Sequence, residues 1–155
     1  MDFALRTIES IAFSLHSILG ITEPCTGCLR SAFQDNGAMP AWFWPLAGIA
    51  LAVVAAANFS GNDTVILVAQ AYVVAFHIGG VLYHRRLGHH PAAGCGPGFF
   101  VPLAIAIAAT RVDNFLYVLL GTAGCAAAAL VLSRVLVTPP QGREEAMTLL
   151  EQRTS

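Results

Sequence analysis

Lysine is absent from this 155-residue chain, and charged residues of all kinds make up only 11% of it. A soluble domain carries charge on about a quarter of its residues, so the polar surface needed to cover a water-soluble globule is missing. Eight arginines against nine acids leave a formal net charge of -1. That excludes the basic face on which nucleic-acid binding depends. No phosphate-binding glycine loop, nucleotide fingerprint or nucleophile–base pairing is evident. No chain of ionisable groups runs through the apolar stretches either, which argues against a pump or channel. The N-terminus lacks a basic start and carries Asp2 and Glu9. A secretory signal wants the former and a mitochondrial presequence avoids the latter, so the first apolar stretch is expected to belong to the mature protein.

What fills the chain instead is apolar: 56% of its residues are hydrophobic. A helix needs about 20 apolar residues to cross a bilayer. Five stretches predict helices, at 3–21, 41–59, 64–83, 98–110 and 115–137. The first is the least apolar, with Arg6, Glu9, Ser10, Ser14, His16 and Ser17. The second opens on Trp42, Phe43 and Trp44, with Trp42 and Trp44 expected as anchors at a membrane boundary. The segment Arg111–Asn114 predicts a reversal, because one helix from 98 to 137 would far exceed the hydrocarbon thickness. Open strands are excluded, since lipid cannot satisfy their edges. The expected fold is therefore all-α: a polytopic transmembrane bundle over 1–137, followed by a polar tail over 138–155.

Five crossings place the N-terminus and the turns near 60–63 and 111–114 on one side. The loops 23–40 and 84–98 and the tail fall on the other, with Arg30, Arg85, Arg86, Arg134, Arg143 and Arg153. The positive-inside rule expects that side to be cytoplasmic, matrix or stromal. In the tail, Ala146, Met147, Leu149 and Leu150 recur at helical spacing beside Arg143, Glu144, Glu145 and Glu151, a pattern expected of a docking element.

Three constellations could carry chemistry. Cys25 and Cys28 are two apart, as in a redox disulfide or half a metal site. With Cys95 in the second long loop, this layout resembles DsbB-like and vitamin K epoxide reductase-like proteins, which implies thiol-to-quinone electron transfer. A loop partner for Cys95 is missing, since Cys125 falls deep in the last helix. His16 and His77 lie at matched depth in helices running the same way, where a haem could be ligated between them. His84, Arg85, Arg86, His89 and His90 cluster at an interface. The arginines there set topology, and Arg85, Arg86, His89 and His90 together could meet a lipid headgroup. Metal binding is not expected. Arg6 and Glu9, three apart, are expected to pair on one helical face.

The order Leu5-Arg6, Trp42-Phe43-Trp44-Pro45-Leu46-Ala47-Gly48 and Tyr83-His84-Arg85-Arg86-Leu87-Gly88-His89-His90-Pro91 resembles the DoxX-like membrane family. The resemblance covers residues 1 to about 112 and leaves the fifth helix outside. It implies a four-helix core that works beside other proteins. The expectation is a non-catalytic accessory or assembly subunit, without a cofactor, in contact with the bilayer and with other membrane subunits, as in a respiratory or photosynthetic complex. The alternatives are a quinone-linked thiol oxidoreductase using Cys25 and Cys28, and a haem carrier using His16 and His77.

Overall fold

The computed structural model describes residues 2–33, 35 and 38–137. Helices follow in the order α1 (Asp2–Thr26), α2 (Cys28–Ala32), α3 (Phe43–Ala57), α4 (Asp63–Leu87), a 3-10 turn (Pro91–Gly94), α5 (Cys95–Ala109) and α6 (Phe115–Leu136). No strand occurs among the described residues. Three segments, Asp63–Leu87, Pro91–Ala109 and Phe115–Leu136, are long and apolar enough to cross a membrane. The tail 138–155, with Pro139, Pro140 and the expected docking element, lies outside the described residues.

The helix ends follow local chemistry. Asn62 caps α4 by accepting from the backbone N–H groups of Thr64 and Val65, and Asn114 caps α6 by accepting from Leu116. These side chains satisfy backbone donors that the first helical turn cannot. Gly88, at φ 67°, ends α4 in the left-handed conformation that favours glycine. Gly27, at φ 61°, does the same between α1 and α2.

Three helices extend beyond the expected bounds, α5 by starting at Cys95 instead of 98. α1 runs to Thr26 instead of 21, and much of the expected 23–40 loop is helical. The reason is Glu23. Its buried carboxylate accepts from Leu29 N at 2.6 Å and Arg30 N at 3.0 Å, so it caps α2 from the end of α1. α4 runs to Leu87 instead of 83, stopping only where glycine permits the reversal.

α1 is built inside out. Glu9, Ser10 and Ser17 are buried, whereas Ile11, Leu15 and Ile18 are each 60% exposed or more. Its polar face meets α3, and its apolar face looks outward. The α1–α3 crossing is close because both helices present glycine. A Cβ on Gly20 would lie 2.8 Å from Gly48 Cα, and one on Gly48 would lie 2.7 Å from Ile21 N.

α4 is the hub of the second group and packs along α5 and α6. α6 gives it a single stripe that includes Val118, Ala129 and Ser133. Among the described residues, the Cα atoms of α1 and α4 stay more than 8 Å apart. Side chains bridge that gap: Phe13 of α1 stacks on His77 of α4, with centroids 5.2 Å apart. The main core cluster gathers Phe13, Leu51, Val54, Val73 and Ala104 about this point.

Because backbone atoms line the Gly20–Gly48 contact, no flexible side chain can give way there. Gly48→Ala is expected to cost about 1–3 kcal/mol of stability through overpacking. Gly121→Ala, where an added Cβ meets nothing within 4 Å, is expected to cost none. Melting temperatures of the two variants in one detergent check this.

Candidate functional site

A cavity of about 620 Å³ lies between the two helix groups, toward the end that holds α2 and the α4–α5 connection. Its walls are aromatic, with Phe43, Trp44, Tyr72, Phe76, Tyr83 and Phe100 contributing from α3, α4 and α5. His16, His77 and His84 are the titratable imidazoles that line it. The structure therefore brings the expected pair His16 and His77 to one space. His77 is buried and His16 is exposed.

His77 is held on three sides. Phe13 stacks on it, Phe100 tilts against it at 4.8 Å, and Phe76 meets it edge-on. Its Nδ1 lies 2.8 Å from the carbonyl oxygen of Val73, one turn earlier. A carbonyl only accepts, so Nδ1 carries the hydrogen and donates it. The neutral ring then leaves Nε2 as a lone pair. Such a nitrogen can accept from a hydroxyl or ligate a metal ion, but it cannot donate.

Behind the wall residues Trp44 and Tyr83 sits a second polar group, which sequence patterning missed. Asp35 is buried and accepts from Met39 N at 3.0 Å, Tyr83 Oη at 3.0 Å and Trp44 Nε1 at 3.3 Å. It ties the segment before α3 to α3 and α4, and so holds two cavity walls in place. Trp44, expected at a membrane boundary, is buried by this bond, while Trp42 is 55% exposed. The available signal was an acid in a chain with few charges, followed by Asn36-Gly37, a pair suited to a turn.

The other expected residues disperse. Cys25, Cys28 and Cys95 are exposed free thiols outside the cavity wall, and Cys125 is half-buried in α6. His84 and His89 share a short Nδ1–Nδ1 contact of 2.8 Å, so one nitrogen donates and the other accepts. His90 accepts from Ala92 N and caps the 3-10 turn. Arg85 is exposed, and Arg86 donates to the carbonyl of Ser133, joining α4 to α6. Among the described residues, no three His, Cys, Asp or Glu side chains converge as metal ligands would.

At the opposite end, charges form a clasp. Asp2 pairs with Arg6 and with Arg111, and Arg111 also pairs with Asp63. Arg6 donates to the Asn58 carbonyl as well. The expected Arg6–Glu9 pair is thus not formed. Asp2, one turn before Arg6, and the carbonyl at the end of α3 capture the guanidinium, while Glu9 points inward to Asn58 and Gln70. Because the clasp joins the N-terminus to the connections after α3 and after α5, these three share one end of the bundle.

Comparison with protein-family models, curated proteins and solved structures finds no match to this chain.

Partial burial pushes the Asp2 carboxyl upward, but hydrogen bonds from Arg111, Thr110 and Arg6 outweigh it and hold the group below its ordinary value. A carboxyl lowered in the folded state adds stability that is present above its unfolded value and is lost as pH falls through the folded one. Acidification below about pH 4 is therefore expected to loosen this end. The melting temperature should fall there in the wild type and fall less in Asp2→Asn, which starts lower at neutral pH.

Proposed function

We propose that the protein is a multi-pass membrane protein that holds one apolar, ring-bearing ligand with a hydroxyl donor in its inter-helix cavity. A quinol headgroup is the ligand class that fits. The carrying observation is His77: its Nδ1 hydrogen is committed to Val73 O, and its ring lines an aromatic-walled space of about 620 Å³. Binding pockets of several hundred Å³ with few polar groups are typical of small-molecule sites. In such a site the Nε2 lone pair accepts the hydroxyl hydrogen of the ligand, and the rings of Phe76, Tyr72 and Trp44 cover its face.

Membrane residence is supported by the three apolar spans and by the inside-out α1, whose outward leucine and isoleucines suit lipid and not water. The arginine distribution favours placing the cavity-side loops in the cytoplasm, matrix or stroma. Cys25 and Cys28 take no part in this reading, because neither lines the cavity.

One observation favours the accessory-subunit reading as a second function. α6 leaves Leu116, Leu120, Val131 and Val135 more than half exposed, along with Gly121 and Gly124, where an added Cβ would meet nothing within 4 Å. Small residues on such a face let another helix approach closely, as the DoxX-like resemblance implies for a bundle working beside other proteins.

The test is extraction of the purified protein with organic solvent, together with its absorption spectrum. A quinone-type compound in near-stoichiometric amount is expected. His77→Leu should bind added quinol about tenfold more weakly, the equivalent of one hydrogen bond. A Soret band that His16→Leu and His77→Leu each abolish would replace the quinol with haem. No ligand, and equal quinol binding by wild type and His77→Leu, would overturn the reading.

A further inference from the structure

Between the clasp and the cavity lies a buried knot of four polar side chains. Glu9, Asn58 and Gln70 are at most 1% exposed, and Ser10 is 5% exposed. They come from α1, the end of α3 and α4. Every hydrogen of the knot has a partner. Asn58 Nδ2 donates to Glu9 Oε2 at 2.8 Å and to Ser10 Oγ at 3.1 Å. Gln70 Nε2 donates to Glu9 Oε2 at 2.9 Å and to Asn58 Oδ1 at 2.8 Å. The Ser10 hydroxyl donates to Ala55 O. Two buried oxygens are left without a donor: Glu9 Oε1 and Gln70 Oε1. Flipping either amide takes hydrogens away from the knot and adds none.

The knot is thus short of one hydrogen, and both unpartnered oxygens belong to the two groups already joined by the Gln70–Glu9 bond. Among the described residues, no cation makes up the difference. On α1, Arg6 is taken by Asp2 and Asn58 O. At the turn after α5, Arg111 is taken by Asp2 and by Asp63, at the start of α4. Two arginines against two aspartates leave the clasp neutral, with no charge to balance a carboxylate at Glu9. A bare buried carboxylate oxygen is costly, and a neutral acid avoids that cost.

We propose that Glu9 is a proton-binding site: a neutral carboxylic acid whose hydrogen, on Oε1, is donated to Gln70 Oε1. Glu9 and Gln70 then form a closed acid–amide pair, with one bond in each direction. The other buried acids differ. Glu23 accepts two backbone N–H groups, one on each oxygen, and Asp35 accepts three donors across both oxygens. Both are satisfied as carboxylates. The chemistry of the Glu9 site is proton uptake and release within the bundle.

Infrared spectroscopy of the full-length protein in detergent at neutral pH tests this directly. The wild type should show a protonated-carboxyl carbonyl band that shifts in D2O and is absent in Glu9→Gln. Glu9→Gln mimics the neutral acid and should keep the wild-type melting temperature, whereas Glu9→Ala should lower it. If Glu9 variants fail to fold, Gln70→Ala serves instead: removing the acceptor should move the band to higher frequency. A wild type without the band, or Glu9→Gln as unstable as Glu9→Ala, would overturn the proposal. So would a melting temperature that rises with sodium in the wild type and not in Glu9→Gln, which would make the occupant a cation.

Discussion

The Cα atoms of α1 and α4 stay more than 8 Å apart, so the facing surfaces of these two helices are joined by side chains that reach across. Near one end the bridge is polar, Glu9 and Ser10 to Asn58 and Gln70. At mid-depth it is aromatic, Phe13 to His77 to Phe100. At the far end it is Asp35 to Tyr83. Each bridge keeps the groups in register without closing the gap between them, and the cavity is the part of that gap that side chains do not fill. By contrast, the α1–α3 contact is backbone on backbone through Gly20 and Gly48. The bundle is tight along α1 and α3 and open between α1 and α4.

This division explains the distribution of polar residues. In a bilayer, a buried hydrogen-bonding group must find its partner inside the protein. Two of the described acids inside the bundle accordingly sit where they do structural work. Glu23 caps α2, and Asp35 orients Trp44 and Tyr83 in the cavity wall. His77 follows the same logic at Nδ1 and departs from it at Nε2, where no hydrogen remains to donate.

Much of the architecture was legible in the sequence because hydrophobic runs of helix length have few other readings in a chain with so little charge. The helix over 115–136 and the reversal before it follow from the apolar run and from Asn114. The extent of α1 was hidden because Glu23-Pro24 reads as a helix stop, and only the three-dimensional fold shows that Glu23 reaches the start of α2. Trp44 suggested a boundary anchor by its aromatic neighbours, but burial depends on Asp35, nine residues earlier, folding back onto it. Arg6 and Glu9 suggested a pair by spacing, yet Asp2, one turn away on the same helix, takes the guanidinium, and Asn58 and Arg111 join through tertiary contacts that spacing does not carry. The matched depth of His16 and His77 was readable from helix direction. The aromatic cavity between them was not, because it depends on how far apart the two helix groups stand.

The claim on which this account rests is that the gap beside His77 is a ligand site. Trp44 forms part of its wall, and the chain has two tryptophans in all. Titration of Trp42→Phe protein with a short-chain quinol, followed by the fluorescence of Trp44, measures occupancy at that wall. Saturable quenching that weakens when His77→Leu is added is the predicted result. Quenching that is linear in quinol and indifferent to His77 would mean partition into the detergent alone, and would contradict the account.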